Sequence, residues 1–366
     1  MWMILFLLLP ILGIAYIGWH VWTLVPLPAG WRIAIIAVGV LSFLTLFVNF
    51  RHRIDDWPLP LARLSYDVGS SSLFVLLYLV VVFLLLDFGR LVHLVRPEWL
   101  RQNFVVTACM AIGIFVIFLY GNIHYYNKTR VELHLTTDKP LARPVKLVML
   151  SDLHLGYHNP RKELARWVDM INAEQPDLVL IAGDIIDMSV RPLAEENMAE
   201  EMRRIKAPVY ACLGNHEYYS GEPQAQQFYA DADIRLLRDT SAVVGDLRII
   251  GRDDRTNSHR KPLAKIMAEV NHQPEKYTIV MDHQPYHLEQ AERAGVDFQL
   301  SGHTHRGQVW PISWITDHLY ECSFGFHQRG NTRYYVSSGM GIWGGKYRIG
   351  TRSEYIVATI SQSVGK

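Results

Sequence analysis

Four long apolar runs near the start of the chain constrain its fold more than any other feature: about Trp2–Val25, Trp31–Phe50, Ser71–Val95 and Phe104–Ile123. A hydrocarbon core of ~30 Å takes about 20 helical residues to cross, and each run approaches or exceeds that length. A buried helix of a water-soluble globule rarely runs so far without a polar face. The first run has neither a basic leading segment nor a small-residue cleavage site, and three more follow. It is therefore expected to be a retained span rather than a signal peptide. Trp19, Trp22, Trp31, Trp57 and Trp99 fall near run ends, where amphipathic rings favour the membrane boundary. The expectation is four transmembrane helices within residues 1–127.

The rest of the chain differs in kind. The 36 Lys+Arg and 35 Asp+Glu divide as 7 and 5 before residue 128 and as 29 and 30 from there on. Near-neutral charge argues against a nucleic-acid partner, whose phosphates need a cationic excess. An apolar content of 50% excludes a disordered chain. Cys109, Cys212 and Cys322 are widely spaced and imply no disulfide framework, in keeping with a reducing compartment. With four spans, Arg51, Arg53, Arg63, Lys128 and Arg130 lie on the side of the termini, and Arg32, Arg96 and Arg101 on the other. The positive-inside rule then places the C-terminal domain in the cytoplasm. Asp87 and Arg90 share one helix face. They are either a self-neutralising pair at the membrane boundary or a functional ionisable site.

Residues 128–144, punctuated by Pro140 and Pro144, read as a linker, and residues 145–366 as a catalytic domain. Strands are expected at Lys146–Leu150, Leu178–Ala182, Val209–Leu213, Arg248–Gly251, Thr278–Met281, Phe298–Leu300, Arg333–Val336 and Tyr355–Ile360. Helices are expected near Arg161–Ala173, Ala194–Ile205, Pro223–Ala230, Leu263–Asn271 and Tyr286–Ala294. Such alternation indicates an α/β domain.

Five polar clusters follow five of these strands: Ser151–His154, Gly183–Asp184, Gly214–Glu217, Asp282–Pro285 and Gly302–His305. Ligand sites of α/β sheets form beyond the carboxyl ends of strands, so the clusters converge on one rim. Imidazoles, carboxylates and an amide oxygen suit divalent Mn, Fe, Zn, Co or Ni. They are too many for one tetrahedral ion and enough for two, which together can hold a phosphoryl group and generate hydroxide.

At these residues the chain resembles the calcineurin-like metallophosphoesterase superfamily, through S-D-L-H-L-G, G-D-I-I-D, G-N-H-E, the H-x-P block and G-H-T-H, over about residues 145–360. With the preceding spans it is similar to the membrane-bound bacterial branch that includes lipid-directed pyrophosphohydrolases. The resemblance implies four transmembrane α-helices followed by an α/β-sandwich, and two divalent ions, with Mn expected first. It implies that Asp152, His154 and His305 hold one ion, that Asn215, His283 and His303 hold the other, and that Asp184 bridges both. His216 matches the catalytic histidine, which protonates the leaving oxygen after a metal-bridging hydroxide attacks phosphorus in line. Two positions depart from the common pattern: Arg306 where glycine often follows G-H-T-H, and Glu217 where aspartate often follows G-N-H.

Of the remaining residues, Arg306 either grips a phosphate or is a solvated loop charge. Asp187 either steadies a metal ligand or caps a turn. Trp343–Arg348 reads as a rim loop whose cations meet anionic lipid or water. Four spans exceed what an anchor needs. The expected substrate is therefore a lipid-linked phosphodiester or pyrophosphate, with membrane lipids as partners, in a bacterial inner membrane. The alternatives are an anchored phosphatase for soluble phosphoesters or phosphoproteins, and a non-enzymatic sensor or transporter.

Overall fold

The computed structural model describes residues 2–49, 53–270 and 274–363, with backbone alone for residues 2–8. Phe50 and Arg51, and Asn271 at the end of an expected helix, lie outside the described residues. The chain divides into two compact units, Met1–Asn122 with Gly344–Lys346, and Ile123–Trp343 with Tyr347–Lys366.

The first unit is helical: α1 (Trp2–Leu24), α2 (Ala29–Asn49), α3 (Leu59–Leu91) and most of α4 (Phe104–Tyr126). Pro60 stands in the first turn of α3, where its missing N–H breaks no helical bond. By length and composition, α2, α3 and α4 suffice to cross a membrane. In α1 the described apolar stretch, Leu9–Leu24, is shorter than a span, so three helices rather than the expected four meet that condition among the described residues. Some polar groups between these helices bond one another. Ser65 Oγ donates to Asn49 Oδ1 at 2.9 Å, and Asn49 Nδ2 donates to the Ser65 carbonyl at 3.1 Å. Asp87 does not pair with Arg90; the Tyr16 hydroxyl donates to it at 2.6 Å and His20 Nε2 lies 3.1 Å away.

The second unit is a four-layer α/β/β/α sandwich. Its first sheet contains β1 (Thr129–Thr137), β2 (Val145–Leu150), β3 (Leu178–Ala182), β4 (Val209–Cys212) and β5 (Ile234–Leu236). Its second contains β6 (Thr240–Val244), β7 (Leu247–Gly251), β8 (Tyr277–Met281), β9 (Phe298–Ser301), β10 (Gly325–Arg329) and β11 (Thr332–Val336). β12 (Glu354–Gln362) returns to the first sheet, giving the orders β1-β12-β2-β3-β4-β5 and β10-β11-β9-β8-β7-β6. The expected linker is thus partly sheet: β1 pairs in parallel with β12, Thr129 opposite Glu354.

Side-chain alternation builds the layers. In β2, Leu147 and Met149 meet Ile249, Ile279, Phe298 and Leu300 of the second sheet, while Val148 and Leu150 face α5 (Arg161–Ala173). Helix α5 presents Leu164, Trp167, Val168 and Ile171 along one stripe to that core. The expected helix over Ala194–Ile205 is two short ones, α6 (Arg191–Glu195) and α7 (Met198–Met202), separated by Asn197 at φ 52°. Helices α8 (Asn215–Tyr219) and α9 (Glu222–Asp231) complete this face, and α10 (Leu263–Glu269) and α11 (Glu289–Arg293) cover the second sheet. Helix α12 (Ile312–Leu319) had no expected counterpart.

Candidate metal centre

The polar clusters follow β2, β3, β4, β8 and β9, and so come from the carboxyl ends of strands in both sheets of the sandwich. Neighbours within each set run parallel, which brings their ends level. The loops are cross-braced. The Asp152 N–H donates to the Gly183 carbonyl at 3.1 Å, His154 N–H to Asp184 O at 3.0 Å, and Gly302 N–H to His283 O at 2.9 Å. Five predicted ligands adopt left-handed backbone conformations: Asp152 (φ 55°), His154 (45°), Asp184 (52°), His303 (72°) and His305 (47°). Non-glycine residues in that region are uncommon and concentrate at functional sites. Glycine is needed next to them for space, because a Cβ at Gly214 would collide with the Asp184 carboxylate and one at Gly302 with that of Asp152.

Three overlapping groups place potential ligand atoms within 4.8 Å of one another: Asp152, His154 and His305; His154, Asp184 and His216; Asp184, His283 and His303. His154 Nε2 lies 3.1 Å from His305 Nε2, and Asp152 Oδ1 is 3.4 Å from His305 Nε2. On the other side, His283 Nε2 is 3.1 Å from Asp184 Oδ2, and His303 Nδ1 is 2.9 Å from Asn215 Oδ1. Asp184 Oδ2 also stands 3.7 Å from His154 Nε2, so one carboxylate faces both sets. Metal ions fit this donor set. His283 donates through Nδ1 to the Ala182 carbonyl at 2.8 Å, while its buried Nε2 has no hydrogen-bond partner and is left to ligate.

The electrostatics separate donors from counter-charges. Burial would raise Asp152 and Asp184, but imidazoles outweigh it, chiefly His305 for the first and His283 for the second, and both carboxyls are held well below their ordinary range. Asp187 is held down against burial by hydrogen bonds from His154 and His216. Burial opposes protonation of His154, yet Asp152 and Asp187 raise it to about 10. Burial lowers His303 to about 4 and His305 to about 3, leaving both neutral near pH 7.

His216, from the first turn of α8, is anchored by its Nδ1, 3.0 Å from the Asp187 carbonyl and 3.3 Å from Asp187 Oδ1. Its side chain keeps 11% exposure, close to the 12% of His305, whereas His154 and His283 keep none. Asp187 also lies 3.2 Å from His154 Nδ1, so it contacts two histidines of the centre. Glu217 is buried and accepts the N–H groups of Asp184, Ile186 and Gly214 at 3.0, 3.0 and 2.7 Å. Asp282, in the fourth cluster, is engaged by Arg252 at 2.7 Å and Arg260 at 2.9 Å. The Arg306 guanidinium stands 4.8 Å from the centre of the Phe324 ring, with its Nε buried and unbonded.

Two supporting residues escaped sequence reasoning. Asn159 donates to the carbonyls of Leu153 and His154 at 3.1 and 2.9 Å; the only local cue is its Asn-Pro turn. Arg348, expected on a rim loop facing lipid or water, is fully buried and donates to the carbonyls of His305 and Gly341 at 2.8 and 3.1 Å. No local pattern announces an arginine used in this way.

Residues 145–307 match the family described as calcineurin-like phosphoesterase. Over 258 residues, 68% of either chain, the protein is 29% identical to a Campylobacter jejuni protein named an uncharacterized metallophosphoesterase. Over 361 residues, 91% of this chain and 81% of its relative, it is 27% identical to a Danio rerio protein named a transmembrane protein with metallophosphoesterase domain. Among solved structures, a dimetal phosphatase from Danio rerio aligns over 59% of this chain and 99% of its own, with 13% identity and a TM-score of 0.38.

Proposed function

From the premise that this chain belongs to the calcineurin-like metallophosphoesterases, metal-dependent hydrolases, we propose that it is a membrane-embedded dimetal enzyme acting on a lipid-linked phosphodiester or pyrophosphate. Asp184 carries the dimetal reading, because a single carboxylate faces His154 on one side and His283 on the other. Asp152, His154 and His305 would hold one ion, Asn215, His283 and His303 the second, and Asp184 both. When bound, the two ions activate a water for attack on phosphorus and offset charge on the phosphoryl oxygens. Mn is the expected metal, with Fe, Zn, Co and Ni sharing its ligand preferences.

The remaining work belongs to the chain. Asp187 fixes His216 through Nδ1, so that Nε2 is the atom that gives a proton to the leaving oxygen. Arg306 offers its guanidinium edge to a phosphate oxygen, braced by stacking on Phe324. The apolar helices, and similarity to a relative named as transmembrane over 91% of this chain, support placement in a membrane. In that placement α1 is the fourth span and the catalytic unit is cytoplasmic, the side favoured by the flanking arginines and lysine.

The test is purification of the full chain in lipid nanodiscs, metal analysis, and a panel of lipid pyrophosphates, phospholipids and soluble phosphoesters. Two ions per chain and faster turnover of a lipid-linked substrate are expected. Equal or faster turnover of soluble esters would instead make it an anchored phosphatase, and absence of turnover with both ions bound would favour the sensor reading.

A further inference from the structure

A cavity of about 640 Å³ lies within the helical unit, between the C-terminal ends of α1 and α3, the start of α2 and the 3₁₀ turn Pro97–Leu100. Its charged lining is lopsided: Arg32, Arg90 and Arg101 against one carboxylate, Asp87. That carboxylate is spoken for on one oxygen, by Tyr16 and by His20, whose ring stacks on Phe83 with centroids 4.2 Å apart. Its other oxygen, Oδ1, is buried and accepts no hydrogen bond. Arg32 is held in place by the carbonyls of Leu27 and Trp22 at 2.6 and 2.8 Å and by the Trp22 ring. Among the described residues, Arg90 and Arg101 have no carboxylate within ion-pair distance, and both are exposed.

We infer that this cavity is a binding site for a phosphate ester that also carries a hydroxyl or ammonium donor, such as a phosphoglycerol or phosphoethanolamine headgroup. Arginine forks match phosphate oxygens bidentately. A donor on the same ligand satisfies the orphan acceptor on Asp87, which is otherwise costly to bury. Half-exposed Trp19 and Trp22 beside the cavity set it at the depth of lipid headgroups. An ionisable group in an apolar bundle is expensive to keep without a task, and this gives the His20–Asp87 pair one. The inference rests on the membrane placement proposed above and is independent of phosphoester hydrolysis.

The experiment uses the full chain. Carbonate washing of membranes tests the placement by itself; release of the chain would overturn that placement and this site together. Native mass spectrometry from detergent then compares added phosphatidylglycerol, phosphatidylcholine and inorganic phosphate, and hydrogen exchange follows residues 19–32 and 87–102. Retention of phosphatidylglycerol over phosphatidylcholine, with slowed exchange in both segments, is expected. Arg90→Ala/Arg101→Ala should weaken retention about tenfold or more, as two charge-assisted contacts are lost. Turnover of a soluble phosphoester should stay at the wild-type level in this variant. Protection by inorganic phosphate alone, reversed by the same substitutions, would assign the site to free phosphate. Lipid retention that ignores the substitutions, or unchanged exchange in the wild-type segments under every addition, would overturn the inference. The exchange measurement needs no variant and so holds if the double substitution does not fold.

Discussion

Glu217 Oε2 accepts the backbone N–H of Asp184 at 3.0 Å, tying the third polar cluster to the carboxylate that faces both ligand sets. Its two oxygens take three N–H groups in all, and burial together with the nearby Asp184 charge raises its pKa. Glu217→Gln replaces one acceptor by a donor, leaving buried N–H groups facing an NH₂. Each unsatisfied group costs about 1–3 kcal/mol. The variant should lose stability of that order in denaturant unfolding and bind metal less tightly. Unchanged stability would show that another acceptor takes over.

Asp187 lies within 3.3 Å of Nδ1 of both His154 and His216. An outer carboxylate of this kind fixes tautomer and orientation, and its loss typically weakens metal binding about 10–100-fold. Asp187→Asn is therefore expected to weaken the site that includes His154 while leaving the fold intact. Competition with a chromophoric chelator measures this; affinity equal to wild type would limit Asp187 to His216.

What was legible in the sequence was local. Each cluster, such as Gly302–His305, directly follows its strand, so residue type and adjacency sufficed to gather Asp152, His154, Asp184, Asn215, His283, His303 and His305 near one another. Buried strands such as Leu178–Ala182 announced themselves as continuous apolar runs. What escaped was decided at long range. β1 exists because β12, more than two hundred residues later, lies beside it, and nothing in Thr129–Thr137 names that partner. Arg348 is buried because carbonyls of His305 and Gly341 converge on it, and Asp87 passes over Arg90 because Tyr16 and His20 reach it from another helix.

Asp184 and His216 should separate metal binding from proton transfer. Asp184→Ala removes the oxygen facing His154 and His283, so metal content should fall towards zero along with activity. His216→Ala should keep metal near the wild-type level while turnover falls about 10²–10⁴-fold, the usual contribution of a positioned acid. Metal analysis beside steady-state rates decides it. A one-ion loss in the His216 variant would make that residue a ligand, and wild-type turnover would remove it from catalysis.

Metal-free stability should peak near the ordinary histidine pKa of 6.5. His154, raised to about 10, contributes stability that is complete below 6.5 and fades as pH climbs towards 10. His303 and His305, lowered to about 4 and about 3, contribute above 6.5 and lose that contribution as pH falls towards those values. Metal binding must displace the His154 proton, so affinity should rise with pH on the alkaline side and proton release should accompany uptake. Thermal melts in chelator across this range, and metal titrations in buffers of different ionisation enthalpy, test both halves. A metal-free melting temperature that climbs steadily from 6.5 towards 10 would show that His154 is neutral in the folded chain, and with it that the Asp152–His154–His305 set needs no proton expelled before it closes on an ion.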